Sequence, residues 1–215
     1  MAATRLKIYN DALLFCGERT LASLTEDVEP RHLLDHVWNS DGVQGCLEEA
    51  QWHFAIRTVQ IDYDPDEDPQ FGYNYAFTKP SDWVLTSALC SDEYFKSPLL
   101  GYWDEAGFWY ADLQTIYVRY ISNDVDYGMD LSLWPRSFSE FVAAHFAYKI
   151  TPKITGDKDR FNAAFKLREK LLRDAKNRTA MADSTKFAPQ GGWTKSRMNG
   201  GGRKDGGGSS GNLIG

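Results

Sequence analysis

The sequence predicts an α+β protein: a four-helix bundle with an inserted small antiparallel β-sheet lobe and a disordered C-terminal arm. Three observations carry this expectation. Apolar residues recur at three- and four-residue spacing on either side of a middle region, and that middle region switches to two-residue alternation. Ten of the eighteen glycines fall between Gly191 and Gly215. A stretch so poor in side chains builds no core and loses much backbone freedom on ordering. The expected organisation is a helical bundle from residues 1–54 and 134–185, a β-rich lobe over 55–133, and a flexible arm over 186–215.

The elements follow in order. Leu6, Ile8, Tyr9, Ala12, Leu13 and Cys16 mark one face of a first helix over about residues 5–16, with Gly17 suited to its left-handed close. Glu29-Pro30-Arg31 opens a second helix, where a first-turn proline loses no needed N–H. Its stripe is Leu33, Leu34, Val37 and Trp38, and it runs on through Val43, Cys46, Leu47, Ala50, Trp52 and Phe54, with Gly42 as a candidate break. From Ala55 the period changes: Ile56, Thr58, Gln60 and Asp62 alternate with Arg57, Val59 and Ile61. That strand ends in Tyr63-Asp64-Pro65-Asp66-Glu67-Asp68-Pro69, an acidic loop unsuited to any core.

Three more strands are expected at 83–89, 107–111 and 115–121, with Asp112-Leu113-Gln114 as the hairpin connection between the last two. In the last strand Ile116, Val118 and Tyr120 face one way, and Thr115, Tyr117, Arg119 and Ile121 the other. Both faces are bulky, so one is expected to be covered and the other to meet a neighbour. Trp134-Pro135 ends the sheet region. Ser137 with Glu140 matches a capping box before a helix carrying Phe141, Val142, His145 and Phe146 to about residue 150. A final helix, about 159–182, has Phe161, Ala164, Phe165, Arg168, Leu171, Leu172 and Ala175 on one side. Lys166, Lys170, Arg173, Lys176 and Arg178 lie on the other. Two amphipathic helix pairs bury their stripes most simply against each other.

The net charge of −6 hides a division. Residues 1–148 hold 9 Lys and Arg against 24 Asp and Glu, a balance of −15; residues 149–215 hold 15 against 6, a balance of +9. So acidic a body is a poor general binder of nucleic acid, because it repels phosphate over most of its surface. No run of eighteen apolar residues is present, so no transmembrane helix is expected. The opening Met-Ala-Ala-Thr-Arg-Leu-Lys has no apolar stretch before a cleavage site, so no secretion signal is expected. Cys16, Cys46 and Cys90 are odd in number and widely spaced, and read as buried reduced thiols of a cytoplasmic product.

Chemistry-bearing patterns are few. His32 and His36 have the four-residue spacing of two metal ligands on one helical face. Asp35 does not replace the glutamate that a zinc protease sets beside its first histidine, and boundary histidines without metal are the simpler reading. Asp104-Glu105 among Trp103, Phe108, Trp109 and Tyr110 suits sugar binding or glycoside cleavage. Neighbours on a strand point to opposite faces, so a second acid would have to come from elsewhere, such as the 62–68 loop. Arg197, Arg203 and Lys204 among glycines, with Trp193, resemble a short nucleic-acid arm. No phosphate loop, nucleophile elbow or Cys–His pairing occurs, so neither an enzyme nor a cofactor is expected.

Several stretches, taken in their order and spacing, carry a likeness over most of the chain. They are Ile8-Tyr9-Asn10-Asp11-Ala12-Leu13-Leu14 with Gly17-Glu18, and Leu47-Glu48-Glu49-Ala50-Gln51-Trp52-His53-Phe54-Ala55. Phe77-Thr78-Lys79-Pro80-Ser81-Asp82-Trp83 with Ile116-Tyr117-Val118-Arg119-Tyr120 continues the likeness, as do Trp134-Pro135 and the closing helix. Together they resemble the head-to-tail adaptors of short-tailed phages, the tail tubular protein A family; the resemblance spans residues 5 to about 197, including Gly191-Gly192-Trp193 and Arg197, and the residues from Asn199 on extend past it.

It implies a virion protein assembled in the host cytoplasm, forming a ring, usually dodecameric, between the portal protein and the tail nozzle protein. Double-stranded DNA would pass through the lumen, and no membrane would be involved. The helices and arm would meet the portal, and the sheet lobe would meet the nozzle. The 26 residues after Pro189 span roughly 86 Å when extended and about 28 Å as a coil. In that reading Trp193 anchors the arm, Lys195, Arg197, Arg203 and Lys204 pair with carboxylates, and Leu213 and Ile214 plug its tip. The alternative is a carbohydrate-active tail protein that binds or cleaves cell-envelope glycan.

Overall fold

The computed structural model describes residues 3–182; the arm, with Trp193, Lys195, Arg197, Arg203, Lys204, Leu213 and Ile214, lies outside the described residues. In chain order the helices are α1 (Arg5–Cys16), α2 (Glu29–Val37) and, after one wide π-type turn at Trp38–Gly42, α3 (Val43–Leu47). Six strands follow: β1 (Ile56–Asp62), β2 (Tyr75–Thr78), β3 (Trp83–Cys90), β4 (Trp103–Glu105), β5 (Phe108–Ala111) and β6 (Thr115–Ser122). Then come α4 (Arg136–Ile154) and α5 (Lys158–Ala182).

Helix α1 forms as its sequence predicts. The Thr4 hydroxyl accepts from the Lys7 N–H at 3.2 Å, and Gly17 closes the helix at φ 76°. Gly42, the candidate break, does not end its helix. A Cβ there would sit 2.4 Å from the Val37 carbonyl oxygen and 3.1 Å from the Phe146 ring. Glycine therefore lets the helix widen by one turn and continue while lying close against α4.

The four-helix bundle is overturned: the described residues form five α-helices and two three-stranded antiparallel sheets. A bundle needs helices with one apolar stripe each, and α4 has none. Phe138, Phe141, Val142, Ala143, Ala144, Phe146, Ala147 and Ile150 are buried on every side of it. It is a central rod onto which α1, α2 and α5 each pack, while α1 makes little contact with α2 or α5. The alanines cause the difference, since they accept close neighbours on the faces that a stripe of large residues leaves out. The capping box is also corrected. Helix α4 starts after Pro135, with Ser137 inside it, and Glu140 instead accepts from Arg136 at 2.7 Å. It also runs a turn beyond residue 150, through Pro152 to Ile154.

The single sheet becomes two, with strand orders β1-β6-β3 and β2-β5-β4. Residues 112–114 therefore do not close a hairpin; they carry the chain from β5 in one sheet to β6 in the other. β6 is the middle strand of the first sheet, paired antiparallel to β1 and β3. Its Ile116, Val118 and Tyr120 join Phe77, Leu89, Trp109 and Ala111 in a core between the two sheets. Ile121, on its other face, enters the larger core with Trp52, Phe138, Phe141 and Phe146. The neighbour expected on the second face of this strand is thus the protein's own second sheet.

Candidate functional site

Strand alternation decides where the paired carboxylates go. On β4, Asp104 lies opposite Trp109 and faces inward with it, whereas Trp103 and Glu105 face outward with Tyr110 and Phe108. Asp104 meets Lys79, whose side chain is only 6% exposed; Nζ donates to Asp104 Oδ1 at 2.5 Å and to the Glu105 carbonyl at 3.0 Å. The ammonium also stands 3.9 Å from the centre of the Trp83 ring. Asp104 Oδ2 accepts from the Thr86 hydroxyl at 2.9 Å and from Trp109 Nε1 at 3.2 Å. Asp104 is therefore a bound counter-ion between the sheets, and Glu105 stands on the other side of the strand. The two do not form a facing acid pair. The acidic loop is engaged too, since Asp64 accepts from Thr78 at 2.5 Å.

A double-mutant cycle tests this assignment. Lys79→Met leaves Asp104 without its cation against two indoles and is expected to cost about 2 kcal/mol in urea denaturation. Adding Asp104→Leu should recover at least half of that loss. Additive losses in the double variant would mean that the two side chains are not coupled.

A second carboxylate, Asp82, pins the turn before β3 to the first sheet. It accepts from Arg57 at 2.8 Å, from Tyr120 at 3.1 Å and from Ser122 at 2.5 Å. Burial pushes this acid up, but the bonds from Ser122, Arg57 and Tyr120 outweigh burial and hold it below the usual carboxylate range. His32 points its Nε2 at Asp27, 2.8 Å away, while His36 lines a separate cavity. Among the described residues no group of three or more His, Cys, Asp or Glu side chains could hold a metal ion. All three cysteines are buried free thiols, and no helix among the described residues is long and apolar enough to cross a membrane.

What remains uncovered is the outer face of the second sheet. Register places Trp103 of β4, Phe108 and Tyr110 of β5, and Thr78 of β2 together there, with Trp103 and Thr78 exposed and the two β5 rings half-buried. Tyr73 meets Trp103 edge-on at 5.4 Å, and Gly72, at φ 85°, lets the chain pass so close that a Cβ would come within 2.6 Å of the indole. Trp103 keeps 49% of its surface in solvent, and nearby in sequence Phe71 and Leu100 keep 83% and 92%. The acidic loop flanks this face through the Asp64–Thr78 bond. An aromatic patch with an anionic border suits a protein neighbour whose rim is basic. It was missed in the sequence because β2 and β4 were not recognised as strands. Tyr75-Ala76-Phe77-Thr78 was too short to show a period, and Trp103-Asp104-Glu105 read as a catalytic pair.

No protein-family model and no curated protein sequence matches this chain.

Proposed function

We propose that this chain is a structural subunit of a phage virion: a head-to-tail adaptor that assembles as a homo-oligomeric ring between the portal protein and the tail nozzle, without enzymatic activity. The observation that supports this reading best is the outer face of the second sheet, where Trp103 is exposed and the half-buried Tyr73, Phe108 and Tyr110 extend the aromatic surface around it. A monomer gains nothing by leaving such surface in water, whereas a subunit buries it against its neighbour. The negative balance of residues 1–148 fits a channel wall along which DNA slides without adhering. The arm then grips the portal, and its repetition around a ring multiplies modest contacts.

Native mass measurement of the purified chain, alone and mixed with its portal, tests the reading. Expected are a ring-sized species in at least one of the two samples, and its loss in Trp103→Glu with the fold retained by circular dichroism. Deletion of residues 190–215 should abolish stable portal attachment and leave the melting temperature unchanged. A monomer under both conditions would sink the proposal. The glycan-cleaving alternative gains no support from the geometry, because Asp104 is committed to Lys79 and faces away from Glu105.

A further inference from the structure

Beside the wide turn at Trp38–Gly42 lies a cavity of about 480 Å³, walled by that turn, by α2 and α3, and by α4. His36, Ser40, His145 and Lys149 supply its polar lining. His145 is 8% exposed, and its Nδ1 lies 3.0 Å from Arg168 Nε. A guanidinium only donates, so Nδ1 must be the bare nitrogen and Nε2 must carry the hydrogen. That N–H has no partner among the described residues, and neither do the His36 ring nor the Lys149 ammonium. Ser40 differs: its hydroxyl donates to the His36 carbonyl at 2.6 Å, so toward the cavity it can only accept.

Among the described side chains, Glu49 does not fill this demand. Glu49 directs one oxygen to Arg168 and the other to Lys176, 3.7 Å away. Space is also present, since a Cβ placed on Gly45 would meet nothing within 4 Å. The cavity thus combines three unspent N–H donor groups, positive charge and one spare acceptor.

We propose that this cavity binds a phosphate group, either as inorganic phosphate or as the end of a phosphate monoester. A phosphate oxyanion takes the bonds from His145, His36 and Lys149, and the P–O–H that inorganic phosphate keeps at neutral pH donates to Ser40; a monoester, with its second ionisation near pH ~6, brings that hydrogen only in its minor monoanion and otherwise binds through the three N–H groups alone. A carboxylate offers no such donor, and sulfate at neutral pH offers none either. This inference does not depend on the assembly role proposed above.

Titration calorimetry of the full chain at pH 7 in phosphate-free buffer tests it, with inorganic phosphate, phenyl phosphate and sulfate as probes. Expected is saturable binding of at least one phosphate probe, with sulfate at least fivefold weaker. Lys149→Met and His36→Gln lie on exposed positions and should each weaken binding about tenfold without changing the far-ultraviolet spectrum. Tighter binding of phenyl phosphate would identify a monoester as the ligand, and equal binding would identify the free ion. A rise in wild-type melting temperature with phosphate, absent in Lys149→Met, is the independent readout. No saturable binding of either phosphate probe, sulfate binding as tightly as phosphate, or undiminished binding by both variants would overturn the proposal.

Discussion

Phe138→Ala is expected to be the most damaging single truncation in the chain, costing about 4 kcal/mol and lowering the melting temperature by roughly 10 °C. Phe138 is fully buried where the first turn of α4 meets the chain entering β1. Its ring centre lies 4.8 Å from both Trp52 and Trp134 and 4.7 Å from Phe54. The two indoles cannot move in to fill the space. Trp52 donates to the Cys46 carbonyl at 3.0 Å and Trp134 to the Gly128 carbonyl at 2.9 Å, so collapse of the cavity would break buried hydrogen bonds. Gly128 is itself pressed against the Ser122 carbonyl, where a Cβ would come within 2.1 Å, and it cannot yield either. Chemical denaturation with an unchanged slope would measure the loss, and Phe138→Leu should cost less than half as much. An alanine variant within 1 °C of the parent would show that this cluster is not where the helical and sheet layers are held together.

The second large effect is a loss of stability in mild acid. His145 is held neutral: burial first, then the neighbouring charges of Arg168 and Lys149, lower its pKa from 6.5 to about 4, with Glu49 pulling weakly the other way. The same imidazole in the unfolded chain titrates near its ordinary value. Between these two values the unfolded state binds the extra proton, so stability falls as pH drops below about 6.5 and levels off near 4. Its full size is roughly 3 kcal/mol, taken from the difference between the two protonation equilibria. Urea midpoints at pH 7.5, 5.5 and 4.5 in phosphate-free buffers would display the slope. His145→Asn keeps an acceptor for Arg168 and should flatten it, while costing some stability at pH 7.5. A slope as steep in the asparagine variant would assign the acid sensitivity to another group.

Much of the helical part was legible because its signals are local. The apolar positions of α1 and Gly17 specify its face and its stop without reference to the rest of the chain, and the structure adds the Thr4 cap at its start. Helix α4 was harder. Its large residues outline a stripe, but Ala143, Ala144 and Ala147 decide that the opposite side is buried too, and alanine is compatible with either surface or core. Gly42 carried a signal with two meanings, a break or a close approach, and only the presence of Val37 and Phe146 beside it selects the second.

The sheets failed for a different reason. Asp112-Leu113-Gln114 has the length and polarity of a hairpin turn, and nothing within three residues distinguishes a turn between paired strands from a crossing between sheets. The candidate acids were half legible. Alternation alone separates Asp104 from Glu105, yet which of them takes the ammonium depends on Lys79, twenty-five positions away and without a local pattern of its own. The phosphate-sized cavity combines residues from 36 to 149; the sequence marks His36 for its spacing from His32, Gly42 as a break and His145 as part of a helical face, and nothing local joins the three.

Strand β6 also bears on how the molecule carries force. Both of its edges are paired, without a break to β1 and with two register shifts to β3; one of its faces packs on the outer sheet, and Ile121 is rooted among the helices. Load on the outer sheet is expected to pass through the shared apolar core into this strand and from it into the helical base. The sheets and helices should therefore give way together under tension, as one cooperative unit.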